Sequence, residues 1–215
     1  MRFDQVAALA DLVDALPARS IIGIAGAPGA GKSTIAAALV AAVPGAVLLP
    51  MDGYHYPQAV LRRLGRRERM GAPDTFDVPA FVDVLHRIRS LPPPAAGFRN
   101  DGEPVLARGF DRVIEEPVEA AVAIYPSFRK LVVEGNYLLL DGGGWERVAP
   151  LLDVTVFVEV DDGIRLDRLV ARHVAFGKSR ADAEAWARGP DDANARVIAA
   201  TAGRAQHTIA LAADR

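Results

Sequence analysis

Apolar positions along this chain alternate between two spacings. Val6, Leu9, Leu12, Val13 and Leu16 recur every three or four residues and stop at Pro17, predicting an amphipathic helix over residues 2–16. The run 20–25, with Ile21, Ile22 and Ile24, is short and continuously apolar, as in a strand buried on both faces. An apolar helix over 32–43 follows, ended by Pro44-Gly45, then a second buried strand over 46–49. Residues 58–69 read as a helix carrying Arg62, Arg63, Arg66, Arg67 and Arg69. After a Gly/Pro-rich turn at 71–77, Phe81, Val84, Leu85 and Ile88 mark the inner face of a helix over 78–90, with Asp77 placed to cap its first amides.

The Pro/Gly-rich stretch 91–104 reads as a loop, and short strands are expected within 105–124, around Phe110-Asp111-Arg112. Leu131-Val132-Val133 is a buried strand delivering Glu134-Gly135, and 153–160 is another. A helix over 163–176, one or two helices over 179–200 broken near Gly189-Pro190, and a last strand at 208–211 complete the reading. Such alternation predicts an α/β fold: a mostly parallel sheet flanked by helices, with ligand at the carboxyl ends of the strands.

One segment names a chemistry. Gly26-Ala27-Pro28-Gly29-Ala30-Gly31-Lys32-Ser33 is a complete G-x-x-x-x-G-K-[ST] phosphate-binding loop, and it lies between a strand and a helix, the context such a loop needs. Its glycines let backbone amides converge on one anion, and the helix adds its positive end. Lys32 can reach β- and γ-phosphates, and the Ser33 hydroxyl can face Mg²⁺. Residues 26–34, ending at Thr34, are therefore the candidate nucleotide-binding segment. The loop implies a nucleoside triphosphate with Mg²⁺ and leaves the fate of its γ-phosphate open.

Composition narrows the rest. At 215 residues, one domain is the natural expectation, with room for a small lid. Apolar residues make up 51% and charged ones 24%, ordinary for a protein with a real core. A formal net charge of −2 gives no reason to expect nucleic-acid or membrane binding. The absence of cysteine excludes disulfides, thiol nucleophiles and Cys-ligated zinc, and the four histidines lack metal-ligand spacing. No apolar run approaches membrane-spanning length and no signal-peptide pattern opens the chain, so a cytoplasmic protein is expected.

Two carboxylates complement the loop. Asp52 lies just past the strand that follows the loop's helix, at the sheet edge where phosphates would sit. It could take a proton from an acceptor hydroxyl, or it could merely cap an Asp-Gly turn. Gly53 suggests an unusual turn there, and Tyr54, His55 and Tyr56 a polar-aromatic wall. Glu134 ends a buried strand, where it could organise the Mg²⁺ shell; a buried carboxylate without a cation would be costly. Arg168 and Arg172 are four apart and share a helical face, so they could clamp phosphates or simply face solvent. Arg112 could bind substrate or pair with Asp111.

Taken in order, the phosphate-binding loop, Met51-Asp52-Gly53-Tyr54-His55, the run Gly71 to Asp77 with Asp74 inside it, the run Val133 to Leu140 and the Arg-rich stretch Arg165 to His173 resemble the uridine kinase, pantothenate kinase and phosphoribulokinase group of P-loop kinases. The Asp-Gly-Tyr-His and Glu-Gly-Asn-Tyr-Leu-Leu runs are similar to bacterial proteins described as nucleoside kinase-like or fructose-transport-system kinase. The resemblance implies a P-loop NTPase fold with a helical lid at about 165–190. It also implies ATP and Mg²⁺ as cofactors, Asp52 as catalytic base and Arg168 and Arg172 on the lid. Tyr54, His55, Asp74, Phe110, Arg112, Glu134 and Tyr137 are the candidate substrate residues. The expected partner is a small-molecule hydroxyl acceptor, with nucleosides or sugars favoured over phosphorylated compounds; a homodimer is compatible with the sequence. The rival readings are a regulatory ATPase and an ATP-binding partner of a transport system. The guanine-reading Asn-Lys-x-Asp run of GTPases is absent.

Overall fold

A computed structural model describes residues 3–92 and 102–211. The expected alternation is present: helix α1 (Phe3–Ala15), strand β1 (Ser20–Gly26), α2 (Lys32–Ala42), β2 (Ala46–Pro50), α3 (Gln58–Arg63), α4 (Val78–Arg89), β3 (Val105–Asp111), β4 (Glu116–Ile124), β5 (Lys130–Gly135), β6 (Val154–Val160), α5 (Asp162–Ala175), α6 (Arg180–Trp186), α7 (Asp192–Ala199) and β7 (His207–Leu211). Most of the loop expected at 91–104 lies outside the described residues.

Five strands form one parallel sheet in the order β2-β5-β1-β6-β7. Strands β1 and β5 are buried along their whole length, so both faces must be covered. On one face α4 packs Phe81, Leu85 and Ile88 with Trp145 and Phe76; on the other, α1 and α2 contribute Val13, Ile35 and Leu39. Buried Lys130 donates from Nζ to the carbonyls of Leu16 (2.7 Å) and Pro17 (3.3 Å), satisfying carbonyls just past the end of α1.

Parallel pairing decides where the chemistry collects. Pro50 of β2 and Ile24 of β1 both stand opposite Glu134 of β5, so the chain leaves β1, β2 and β5 at one edge. The phosphate-binding loop, the turn carrying Asp52, and Glu134 all lie on that edge.

Three regions depart from the sequence reading. The helix expected over 58–69 breaks at Gly65, whose φ of 65° is left-handed, leaving α3 and a 3₁₀ turn at Arg67–Arg69. The short strands expected around Phe110 are longer, pairing as a separate antiparallel hairpin, β3–β4. The break near Gly189-Pro190 is a single π-helical turn, Ala187–Asp191, joining α6 to α7; the wider turn accommodates a proline that has no amide to donate. The cap read at Asp77 is present, its Oδ1 accepting from the Ala80 amide at 3.2 Å.

Candidate active site

The phosphate-binding loop is shaped by backbone that a side chain would obstruct. Gly29 has φ 80°, and a Cβ there would stand 2.8 Å from the Arg165 carbonyl oxygen of α5. Gly31 precedes α2 in left-handed geometry and offers no capping side chain, so the first amides of α2 stay open to an anion. Lys32 is buried, and its Nζ donates to the Ala27 carbonyl at 3.0 Å. Burial pulls its pKa down to about 8, against the opposing pull of Glu134 and Asp52. A buried ammonium with no carboxylate within 4 Å among the described residues fits an anionic group such as a phosphate.

Asp52 sits in a 3₁₀ turn, Met51–Tyr54, directly after β2. Gly53 is required there for closeness and not for an unusual turn, because its φ is not left-handed. A Cβ would meet the Arg108 carbonyl oxygen of β3 at 2.5 Å, so this glycine lets the β3–β4 hairpin close over the turn. The hairpin brings Arg112, whose Nη2 donates to Asp52 Oδ2 at 2.6 Å. Asp111 instead accepts from the amides of Val113 and Ile114 and shapes the hairpin turn. Burial pushes the Asp52 pKa up, but Arg112, then His55, Lys32 and Arg172, more than reverse this, so the carboxylate is held below its ordinary value.

Glu134 behaves oppositely. Burial, followed by the Asp52 charge, raises its pKa, and Lys32, Arg112 and the Ser33 hydroxyl only partly offset this. Two carboxylates facing one desolvated space is an arrangement that a divalent cation relieves. No group of three or more His, Asp or Glu among the described residues could hold a metal by itself. The donor set fits Mg²⁺, which takes much of its shell from water and phosphate oxygens.

His55 is buried and stacked against Phe76 (3.9 Å between centroids) and Phe110 (5.0 Å). Its Nδ1 lies 2.9 Å from the Asp52 carbonyl, and burial lowers its pKa, favouring a neutral ring with Nδ1–H donating. One cleft gathers Pro28, Lys32, Ser33, Asp52, His55, Phe110, Arg112, Glu134 and Arg172 from the residues singled out in sequence. Burial, then Arg112, lowers the Arg172 pKa. Arg168 stands apart from this cleft, its Nη1 beside Gly31 on the flank of the phosphate-binding loop.

The other candidates fall elsewhere. Ala27 and Ala30 border a separate hollow with Asp161 and Arg165, and Thr34 is exposed on α2. Tyr54 is core: it meets Phe81 edge-on at 5.0 Å under the Arg108 guanidinium, and burial pushes its pKa up to about 12. Tyr137 packs on Phe76 and Trp145 and donates its hydroxyl to the Gly71 carbonyl at 2.6 Å. Asp74 forms ion pairs with Arg69 and Arg66 on the surface. Apolar packing claims both tyrosine rings, and the arginines of 66–69 claim Asp74.

The cleft also contains Asn136, Asp191 and Asn194, which the sequence reading did not weigh for the site. Asn136, two residues past Glu134, could have been found by position alone. Asp191 and Asn194 arrive through the π turn and α7, and Asp191 Oδ2 lies 2.7 Å from His173 Nε2. Arg67, from the arginine cluster read over 58–69, pairs with Glu115 of the hairpin at 2.7 Å, and both line the cleft. Lys178 also lines the cleft, its Nζ 5.0 Å above the Trp186 ring.

No family model matches the chain. It is 32% identical over 177 residues to a "putative uridine kinase" of Schizosaccharomyces pombe, covering 78% of this chain and 72% of that one. It is 30% identical over 168 residues to a pantothenate kinase of Rhodopseudomonas palustris, covering 73% of this chain but only 50% of the relative. The crystal structure of a "putative fructose transport system kinase" from a Silicibacter species superposes with a TM-score of 0.82 at 34% identity, covering 95% of this chain and 98% of that one.

Proposed function

Because the chain belongs to the uridine kinase-like and pantothenate kinase-like group of P-loop kinases, we propose that it is an ATP-dependent kinase transferring the γ-phosphate to a hydroxyl of a small metabolite, a nucleoside or a sugar. The observation that carries the reading is the position of Asp52. An ionised carboxylate, held by Arg112 at 2.6 Å, shares one cleft with Lys32, Ser33 and Glu134.

Lys32 and the open amides of α2 hold the β- and γ-phosphates. Ser33 and Glu134 would hold Mg²⁺, which would neutralise phosphate charge. Asp52 accepts the proton of the acceptor hydroxyl, whose oxygen forms the new bond to the γ-phosphorus as the bridging bond to ADP breaks. Arg112 keeps Asp52 ionised and aimed. Arg172 counters charge on the transferring group from within the cleft, and Arg168 does so from the flank of the loop. The helical segment at about 165–190 folds over the reactants and keeps out water, the competing acceptor.

An ADP-release assay across nucleosides, pantothenate, sugars and glycerate, with each product confirmed by mass, tests this. A phosphorylated metabolite is expected. Stoichiometric phosphate release with no phosphorylated acceptor would overturn the reading.

A further inference from the structure

Two cations of the cleft are already paired, Arg112 with Asp52 and Arg67 with Glu115, and His173 Nε2 lies 2.7 Å from Asp191 Oδ2. Among the described residues, the cleft-lining cations with no carboxylate within 4 Å are Lys32, Arg172 and Lys178. Lys32 and Arg172 belong to the triphosphate in the mechanism above, and Lys178 lies against the Trp186 ring. An anionic acceptor would have to draw Lys178 off the Trp186 ring or break an existing ion pair to be neutralised.

Against this background, Asn194 is unusual. It is 6% exposed, lines the cleft from α7, and its Nδ2 lies beside Gly71 on the opposite wall. Its side-chain amide has no hydrogen-bond partner among the described residues, although its neighbours in the cleft, Asp191 and Arg67, do. Neither amide atom of Asn194 is a fully buried atom without a partner, so the group is open to the cleft, where solvent or a bound substrate can pair it. An Asn amide offers two donors and an acceptor, a set that suits an uncharged group carrying both a hydrogen-bond donor and an acceptor.

We infer that Asn194 is a specificity-determining residue of the acceptor site, hydrogen-bonding an uncharged substrate group, and that the site selects neutral hydroxyl acceptors over anionic ones. This rests on the kinase reading above. It assigns α7 a recognition role in addition to its packing role, and couples acceptor recognition to the helices beyond the lid arginines.

The test uses the full chain with four acceptors: uridine and D-fructose as neutral compounds, pantothenate and D-glycerate as anionic ones. The wild type is expected to favour a neutral acceptor. With that acceptor, Asn194→Leu should raise the acceptor KM about tenfold or more, as expected for a buried partner left unsatisfied, while the KM for ATP stays within twofold. Asn194→Asp keeps the shape but removes the donors, and it should weaken the neutral acceptor similarly; it carries the test if the Leu variant does not fold. An unchanged acceptor KM in a folded variant, an equal rise in the KM for ATP, or a wild-type preference for pantothenate or glycerate would overturn the inference while leaving the kinase reading intact. If nothing is phosphorylated although ATP binds, the kinase reading itself falls, and this inference with it.

Discussion

Replacing Asp52 by Asn removes the proposed base with almost no change in volume. The turn Met51–Tyr54 is set by backbone packing, with Met51 and Tyr54 buried and Gly53 against β3, so the fold loses little. The ion pair with Arg112 is lost, but the Arg112 side chain is 41% exposed; after solvent screening such a pair is worth about 1 kcal/mol at most. For a chain of 215 residues that lowers Tm by about 2–4 °C. Chemistry should suffer far more. A positioned general base contributes about 10²- to 10⁴-fold, or about 3–5 kcal/mol of barrier. The nucleotide contacts at Lys32 and the open end of α2 remain. The expected result is a fall in kcat of at least two orders of magnitude, with the KM for ATP within about threefold, read by coupled ADP release and by mass of the phosphorylated product. A kcat within threefold of wild type in a folded Asp52→Asn protein would refute Asp52 as the base.

Glu134→Gln should raise the Mg²⁺ concentration for half-maximal activity about tenfold or more. Burial already disfavours the charge at this site, so Tm should not fall; a lower Tm with unchanged Mg²⁺ dependence would contradict the metal assignment. Gly53→Ala forces a methyl group to within 2.5 Å of the Arg108 carbonyl oxygen, and should cost about 1–3 kcal/mol and loosen Arg112; thermal melts and the acceptor KM check this. The Lys32 pKa of about 8 lies below its unfolded value of 10.5, so its charge opposes folding below about pH 8, and that cost disappears as pH rises from about 8 to 10.5. A bound triphosphate offsets the cost only while Lys32 is charged. MgATP should therefore raise Tm more at pH 7 than at pH 9.5, and kcat/KM for ATP should fall above about pH 8. An equal thermal shift at both pH values would argue against Lys32 as the phosphate contact.

Local pattern carried most of the secondary structure, because burial on both faces of β1 and β5 and on one face of α4 writes itself into residue spacing. It failed where long-range contact overrides propensity. The helix read through 58–69 stops at Gly65, and Arg67 then turns to Glu115 on the hairpin. Tyr54 and Tyr137, read as substrate residues from their neighbours in sequence, face the aromatic core around Phe76, Phe81 and Trp145. In sequence, Asp52 next to Gly53 could equally cap a turn. The hairpin that sets Arg112 on its carboxylate starts more than fifty residues later, and no local pattern reveals that closure.

By itself the sequence determined the phosphate-binding loop, the parallel α/β alternation and the strand ends at which Asp52 and Glu134 emerge. These are short-range properties of glycine conformation, hydrophobic period and residue order. Tertiary structure alone decided which charges meet. It paired Arg112 with Asp52 and Arg67 with Glu115, put Arg172 inside the cleft and Arg168 beside the phosphate-binding loop outside it, and brought Asn194 across from Gly71. The physical reason is that electrostatic and hydrogen-bonding partners are chosen by distance in space, and parallel strands with long crossovers place those partners far apart along the chain.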